Sequence, residues 1–286
     1  MSSSDDSYLL DRTNATETAR LNAQHEGYIT ALGYHIHPAI LAAHPPTAAL
    51  KVAEVGTGTA IFLQDLAAAH PSWTLHGFDI SDAAYPPPVA RPTSLALHLH
   101  DAKTPFPAEW HGVFDVVHMR LLTVAMGARE DWTRVARHAA QLLRPGGALQ
   151  WCESNYNPTF LRTAAARAED AGVTLRMQEV FDGLYHVLGP AMAGVYEPFT
   201  GEAVVVKGAL RAAGLQRVWD DVVSSDRDIE TRGKFARVNT AVGVNLLKKM
   251  RGEDALSAQD LERIEQETAS GLYTRFDVHM CIGWKP

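Results

Sequence analysis

The sequence has only two cysteines in 286 residues, carries no surplus of basic charge and has no run of about 18 consecutive apolar residues. Each shortage excludes something. Cys152 and Cys281 each sit inside an apolar stretch that reads as a strand, which suits buried, reduced thiols and not a disulfide framework or a cysteine zinc site. Without a long apolar run there is no candidate for a membrane-crossing helix. The first residues, MSSSDDSYLLDR, are acidic and polar where a secretory signal has a basic start and an apolar centre. The expectation is therefore a cytoplasmic chain. Asn14 opens an N-x-T sequon, but glycosylation requires secretion, and a helix cap is the better reading. A net charge of -7 gives no general attraction to phosphate backbones or anionic lipid, so neither nucleic acid nor membrane is expected as a partner. A small molecule is.

What is present is enough apolar material for a full core, 46% of residues against 21% charged. Residues 14–32 read as a helix, with Asn14 and Glu17 spaced as a capping box, Leu21, Tyr28, Ile29 and Leu32 on one face, and Gly33 as the stop. After Pro45 and Pro46 the pattern changes. Short apolar runs (LKVAEV, WTLHGFDI, SLALHLH, VFDVVHM, GALQWCE) alternate with helical stretches at 59–69 and 130–143. Such alternation predicts a parallel sheet wrapped by helices. LQRVWDDVV reads as a sixth strand, and two helices follow, one with Phe235, Val238, Val242, Leu246 and Met250 on a stripe and the other capped by Ser257. The chain closes on one long alternating strand, residues 272–284, expected to lie antiparallel beside the sixth.

The most specific local signal is EVGTGTAI, at the point where a buried strand ends and a helix begins. Glycine there permits dihedrals that cost other residues and lets a ligand approach backbone N–H groups at a helix N-terminus. A plain strand-to-helix turn is the bland alternative. A dinucleotide fingerprint would place a third glycine at position 61, which is Ile61, and does not require an acid at Glu54. About twenty residues on, Asp79 closes the next apolar run, where a carboxylate accepts hydrogen bonds from ribose hydroxyls; the alternative role is a helix N-cap.

In these features the sequence resembles the class I S-adenosylmethionine-dependent methyltransferases. EVGTGTA is similar to their acidic-start glycine motif, GFDIS to their ribose-binding acid, HDAKTPFP to the loop where an acid meets adenine, FDVVHMR to the fourth strand and LLRPGGALQW to the turn into the fifth. With RLNAQHEGYITALGYHIHPAI before the core and RFDVHMCIGWKP at its end, the chain looks like fungal secondary-metabolite methyltransferases, a group that includes LaeA-like regulators. Ala60 stands where that group usually has a third small glycine.

The resemblance implies an α/β fold: a Rossmann-like, seven-stranded, mostly parallel sheet with an antiparallel last strand, an N-terminal helical lid over residues 1–45 and, within a domain spanning 46–286, a helical insertion near 228–270. It implies S-adenosyl-L-methionine as cofactor, with Gly56, Thr57 and Gly58 facing its methionine end, Glu54 orienting it, Asp79 and Ile80 at ribose and adenine, and Asp101 and Ala102 at the exocyclic amine. His118, Met119 and Arg120 would border cofactor and acceptor, at the edge where open α/β sheets bind ligands. His118 is the candidate general base, since imidazole titrates near neutral pH; a histidine that only hydrogen-bonds cofactor or backbone is the alternative. Tyr28 and His25 on the first helix are candidates to cap the site, and Phe181 and Tyr185 lie in an aromatic-rich stretch suited to an apolar acceptor. The pairs His98/His100 and His35/His37 offer two ligands each, too few for a metal site, so no metal is expected. The acceptor would be an O, N or S atom of a natural product. A methyltransferase-like regulator, or a protein that runs a non-methylating reaction, is not excluded by fold analogy. Homodimerisation is left open.

Overall fold

A computed structural model describes residues 15–154, 159–162 and 204–286 of the chain. Helix α1 (Ala15–Leu32) and the short α2 (Pro38–Leu41) precede β1 (Lys51–Val55), α3 (Ile61–Ala69), β2 (Thr74–Asp79), β3 (Leu95–Leu99), β4 (Phe114–Arg120), α4 (Arg129–Leu142) and β5 (Leu143–Ser154). Then come β6 (Thr159–Arg162), α5 (Val204–Ala212), β7 (Gln216–Ser224), α6 (Ile229–Arg251), α7 (Ala258–Ala269), β8 (Leu272–Arg275) and β9 (Asp277–Trp284). Seven strands form one sheet in the order β3-β2-β1-β4-β5-β9-β7. β1 to β5 run parallel; β9 is inserted antiparallel between β5 and β7. The order reverses at β1, whose neighbours are β2 and β4, so a crevice opens at its C-terminal end.

Both faces of the sheet are covered, which explains why β1, β4 and β5 read as nearly unbroken apolar runs instead of alternating ones. On one face α4 and α5 pack on Val117, Met119, Leu149 and Trp151. On the other, α1, α2, α3 and Phe235 of α6 pack on Val52, Val116, Cys152 and Ile282. Cys152 and Cys281 lie on adjacent strands but belong to opposite faces, and both are free and buried. Burial pushes the Cys152 thiol up to about 12.

The terminal segment departs from the expected single strand. At Phe276 the backbone leaves the ladder and exchanges hydrogen bonds with Ser225, its N–H reaching the Ser225 hydroxyl and its carbonyl taking the Ser225 N–H. The residues before it become β8, which pairs with β6 in a separate two-stranded sheet; those after it become β9. A pattern of period two is blind to such a change of partner, because alternation continues through it. The capping residue Asn14 and the residues Phe181 and Tyr185 lie outside the described residues.

Candidate cofactor and acceptor site

The crevice at the end of β1 is built on the glycine turn. Gly56 has φ +76° and Gly58 φ +53°, values that only glycine adopts without strain. A Cβ on Gly56 would stand 2.6 Å from Leu122 Cδ2, so the Leu122 side chain would have to move aside; the dihedral is what requires glycine here. Ala60 shares the left-handed region at φ 57° and is fully buried, a conformation that costs a residue with a Cβ roughly 1–2 kcal/mol. That is the physical meaning of the alanine at a position where glycine is usual. The turn is held from two sides. Gly58 N–H donates to Asp79 Oδ2 at 2.8 Å, and the Thr57 hydroxyl donates to Glu54 Oε2 at 2.6 Å.

Glu54 is buried, and burial pushes its carboxyl up to about 8 against the opposing pull of Arg120 and the Thr57 hydroxyl. Asp79 does not cap a helix: after β2 its other oxygen accepts the Ser81 N–H in a loop. Ile80 is 55% exposed beside it, free to lie under a flat ring. Asp101 Oδ1 takes the Lys103 N–H, and Ala102 gives its carbonyl to His138 Nδ1. These positions suit the parts of S-adenosylmethionine assigned to them: a glycine cradle that a side chain would fill, a carboxylate at the strand end beside it and an exposed apolar residue next in line.

β4 alternates between the two faces of the sheet, and the expected residues divide accordingly. Met119 packs among Val55, Phe78 and Trp132 on the α4 side and is fully buried, so it does not border an acceptor. Tyr28 is likewise buried, edge-on to Phe235 at 5.3 Å, as a packing residue between α1 and α6 and not a cap on the site.

His118 requires the largest correction. It is 1% exposed, stacked on Phe62 at 4.0 Å. Gln150 fixes its tautomer: the amide Oε1 accepts the His37 N–H, so its Nε2 donates to the His35 carbonyl and to His118 Nδ1 at 2.9 Å. The His118 proton therefore sits on Nε2, which has no hydrogen-bond partner among the described residues. Burial holds the imidazole well below its usual pKa, with Arg120 adding to the effect. With one nitrogen occupied and the other protonated, His118 is a hydrogen-bond donor and not the open base expected of it.

Arg120, at the C-terminal end of β4, donates from Nη1 to His25 Nδ1 of α1 at 3.0 Å. His25 Nε2 donates to Asp65 Oδ2 of α3 at 2.9 Å, and His35 Nε2 reaches the same oxygen at 3.2 Å. Burial alone would raise the Asp65 carboxyl, but these two imidazoles hold it below the usual carboxylate range. Ligating atoms of His25, His35 and Asp65 all lie within 4.8 Å of one another, a grouping that the histidine pairs read from sequence did not reveal. His37 instead caps α2, and His98 Nε2 is hydrogen-bonded to His76 Nδ1 at 3.0 Å. Asn22 of α1 accepts the Thr59 hydroxyl at 2.8 Å, which brings the helix against the glycine turn.

Two features here were missed entirely. Leu122, one residue beyond the left-handed Leu121 (φ 54°), covers Gly56. Its N–H is held by Glu153, a fully buried carboxylate that also accepts from Trp151 Nε1 and the Thr123 hydroxyl. The W-x-E spacing on a strand places both side chains on one face and was the available signal.

Residues 53–149 match a family described as a methyltransferase domain. Over these residues the chain matches that domain, and its strand order is the one expected from the resemblance to class I S-adenosylmethionine-dependent methyltransferases. The chain is similar to several methyltransferases of fungi. It is 35% identical to a methyltransferase of Penicillium sp, grgD, over 56% of this chain and 57% of that protein. It is 26% identical to the N-methyltransferase tcpN of Claviceps purpurea over 87% of this chain and 86% of that protein, and 31% identical to the N-methyltransferase gliN of Aspergillus fumigatus over 53% and 52%. The chain thus spans about half the length of two of these curated relatives. Among solved structures, a phosphoethanolamine N-methyltransferase of Haemonchus contortus with S-adenosylhomocysteine aligns at TM-score 0.48 and 13% identity, covering 97% of this chain and 60% of that one. No helix among the described residues is long and apolar enough to cross a membrane.

Proposed function

We propose that the protein transfers the methyl group of S-adenosylmethionine to a nitrogen, oxygen or sulfur atom of a small natural product, with nitrogen the leading choice. The observation that carries the cofactor part is the bond from Gly58 N–H to the Asp79 carboxylate, which ties the glycine turn to the strand-end acid. The names of the relatives, several of them N-methyltransferases, support nitrogen. In this reading the cofactor brings an electrophilic methyl group, and the chain supplies alignment, exclusion of water and a destination for the acceptor's proton.

The residues take these roles. The glycine turn and Glu54 hold the methionine end, Asp79 and Ile80 the nucleoside, Asp101 and Ala102 the adenine amine. His118 contributes its Nε2–H as a donor to a ligand acceptor atom. Residues 1–45 act as the lid, with Asn22 and His25 of α1 set against the turn, β4 and α3. The catalytic core comprises 46–286, in the cytoplasm, with no nucleic-acid or membrane partner; Phe181 and Tyr185 remain acceptor candidates.

Calorimetry should give binding of S-adenosylmethionine and S-adenosylhomocysteine and none of NAD. Response to NAD with silence toward both sulfur compounds would end this reading. Incubation with isotopically labelled S-adenosylmethionine and a producer-cell extract should yield a labelled small molecule by mass spectrometry. Tight cofactor binding with no labelled product in any extract would point to a regulator or a non-methylating reaction.

A further inference from the structure

An acceptor N–H or O–H that attacks a methyl group must lose a proton, and His118 has no free lone pair to take it. The neighbouring imidazole does have the required arrangement. Asp65 accepts the Nε2–H of His25, which leaves the lone pair on Nδ1, and the guanidinium of Arg120, able only to donate, confirms that tautomer from the other side. A carboxylate behind a histidine orients it and stabilises the imidazolium that forms when it accepts a proton. Nδ1 faces the C-terminal end of β4, and one turn earlier on the same helix Asn22 is bonded to the glycine turn. His25 itself is 2% exposed, while Asp65 behind it is 43% exposed and gives the proton a way out to solvent.

We infer that His25, oriented by Asp65 and gated by Arg120, is the base that takes the acceptor's proton; this rests on the methyl-transfer reading above. The bond from acceptor heteroatom to methyl carbon forms as the carbon–sulfur bond breaks, its electron pair passing to sulfur to give S-adenosylhomocysteine, and the acceptor proton passes to Nδ1. Arg120 is the gate because its N–H occupies that lone pair. Burial first and the Arg120 charge second bring the His25 pKa down to about 4, while Asp65 opposes them and His35 adds to them. His118, the other imidazole facing this cluster, is neutral. An anionic group that draws the guanidinium away uncovers the lone pair and strengthens the base.

The same cluster viewed as a metal site conflicts with Arg120. A cation on His25 Nε2 would force the ring proton onto Nδ1, against a guanidinium that can only donate, whereas ligating histidines have an acceptor behind them.

The test uses the full chain with labelled S-adenosylmethionine and the extract above. His25→Ala should lower the transfer rate on the order of 100-fold while changing S-adenosylhomocysteine affinity by no more than about two-fold. Added imidazole should restore part of the rate in His25→Ala and have no effect on wild type. Asp65→Asn should give a smaller loss and shift the pH profile. Nitrogen-15 spectra of wild type with S-adenosylhomocysteine should show His25 Nδ1 unprotonated at pH 7, a readout that needs no acceptor. A His25→Ala protein that keeps the wild-type rate, an Nδ1–H tautomer, or stoichiometric zinc that survives dialysis in wild type and is lost in His25→Ala would each overturn this assignment alone. Wild type that binds the cofactor and makes no labelled product overturns the methyl-transfer reading and the base with it.

Discussion

Glu153→Ala should lower the free energy of unfolding by about 3–5 kcal/mol, a loss set by the donors it strands. The carboxylate accepts the Leu122 N–H, the Trp151 indole N–H and the Thr123 hydroxyl, and it is fully buried. Alanine replaces none of these acceptors. Urea denaturation should show the loss as a lower midpoint with an unchanged slope, and a change below about 1 kcal/mol would mean that water or a shift of the β4 turn satisfies the donors instead. Because Leu122 lies against Gly56, cofactor affinity should fall as well.

Burial pushes the Glu153 carboxyl up to about 7 and Glu54 up to about 8. Each holds its proton more tightly folded than unfolded, where a glutamate titrates near about 4.3. Their contribution to stability is therefore fully present below that value and is lost as pH rises through about 7 and 8. Below about pH 6.5 the buried histidines work the other way, His25 and His76 held down to about 4 and His118 well below its usual value, so the decline of the cofactor-free protein should show from about pH 7 towards pH 8, and Glu153→Gln should make it shallower. A denaturation series showing stability rising over this range would contradict the assignment.

Asp79→Ala should cost about 2–4 kcal/mol of S-adenosylhomocysteine affinity through one or two lost charge-assisted hydrogen bonds. The half-buried carboxylate also braces Gly58, so the turn loosens along with the ribose contact. Asp79→Asn, which retains an acceptor for the Gly58 N–H, should fall between alanine and wild type. Calorimetry checks both. Unchanged affinity in the alanine variant, with the melting temperature lowered, would leave Asp79 as a brace only.

The sheet was legible because parallel strands buried on both faces write themselves as apolar runs, and the glycine turn because its dihedrals exclude other residues. Glu54, Gly56, Thr57, Gly58 and Asp79 come together as a hydrogen-bonded unit for the same reason: strand end, turn and next strand end are local in sequence. The assignments that failed depend on which face of an element a residue takes, or on partners far along the chain. Met119 and His118 are neighbours on β4 yet point to opposite cores. Tyr28 satisfies an apolar stripe whether that stripe covers a ligand or Phe235. The role of His118 is decided by Gln150, 32 residues away, and that of His25 by Asp65, 40 residues away. No spacing rule reaches that far. The split at Phe276 was hidden because a strand can change partners without changing its alternation.

Gln150 has a consequence for the order in which the molecule assembles. Its amide spends both donors and its acceptor on His35, His37 and His118, joining the segment after α1 to the middle of the sheet across 115, 113 and 32 residues. Such a contact repays its loop-closure entropy only after β4 and β5 are paired. The segment after α1 is therefore expected to dock late, so that Gln150→Ala should raise the unfolding rate and leave the folding rate nearly untouched in stopped-flow denaturation.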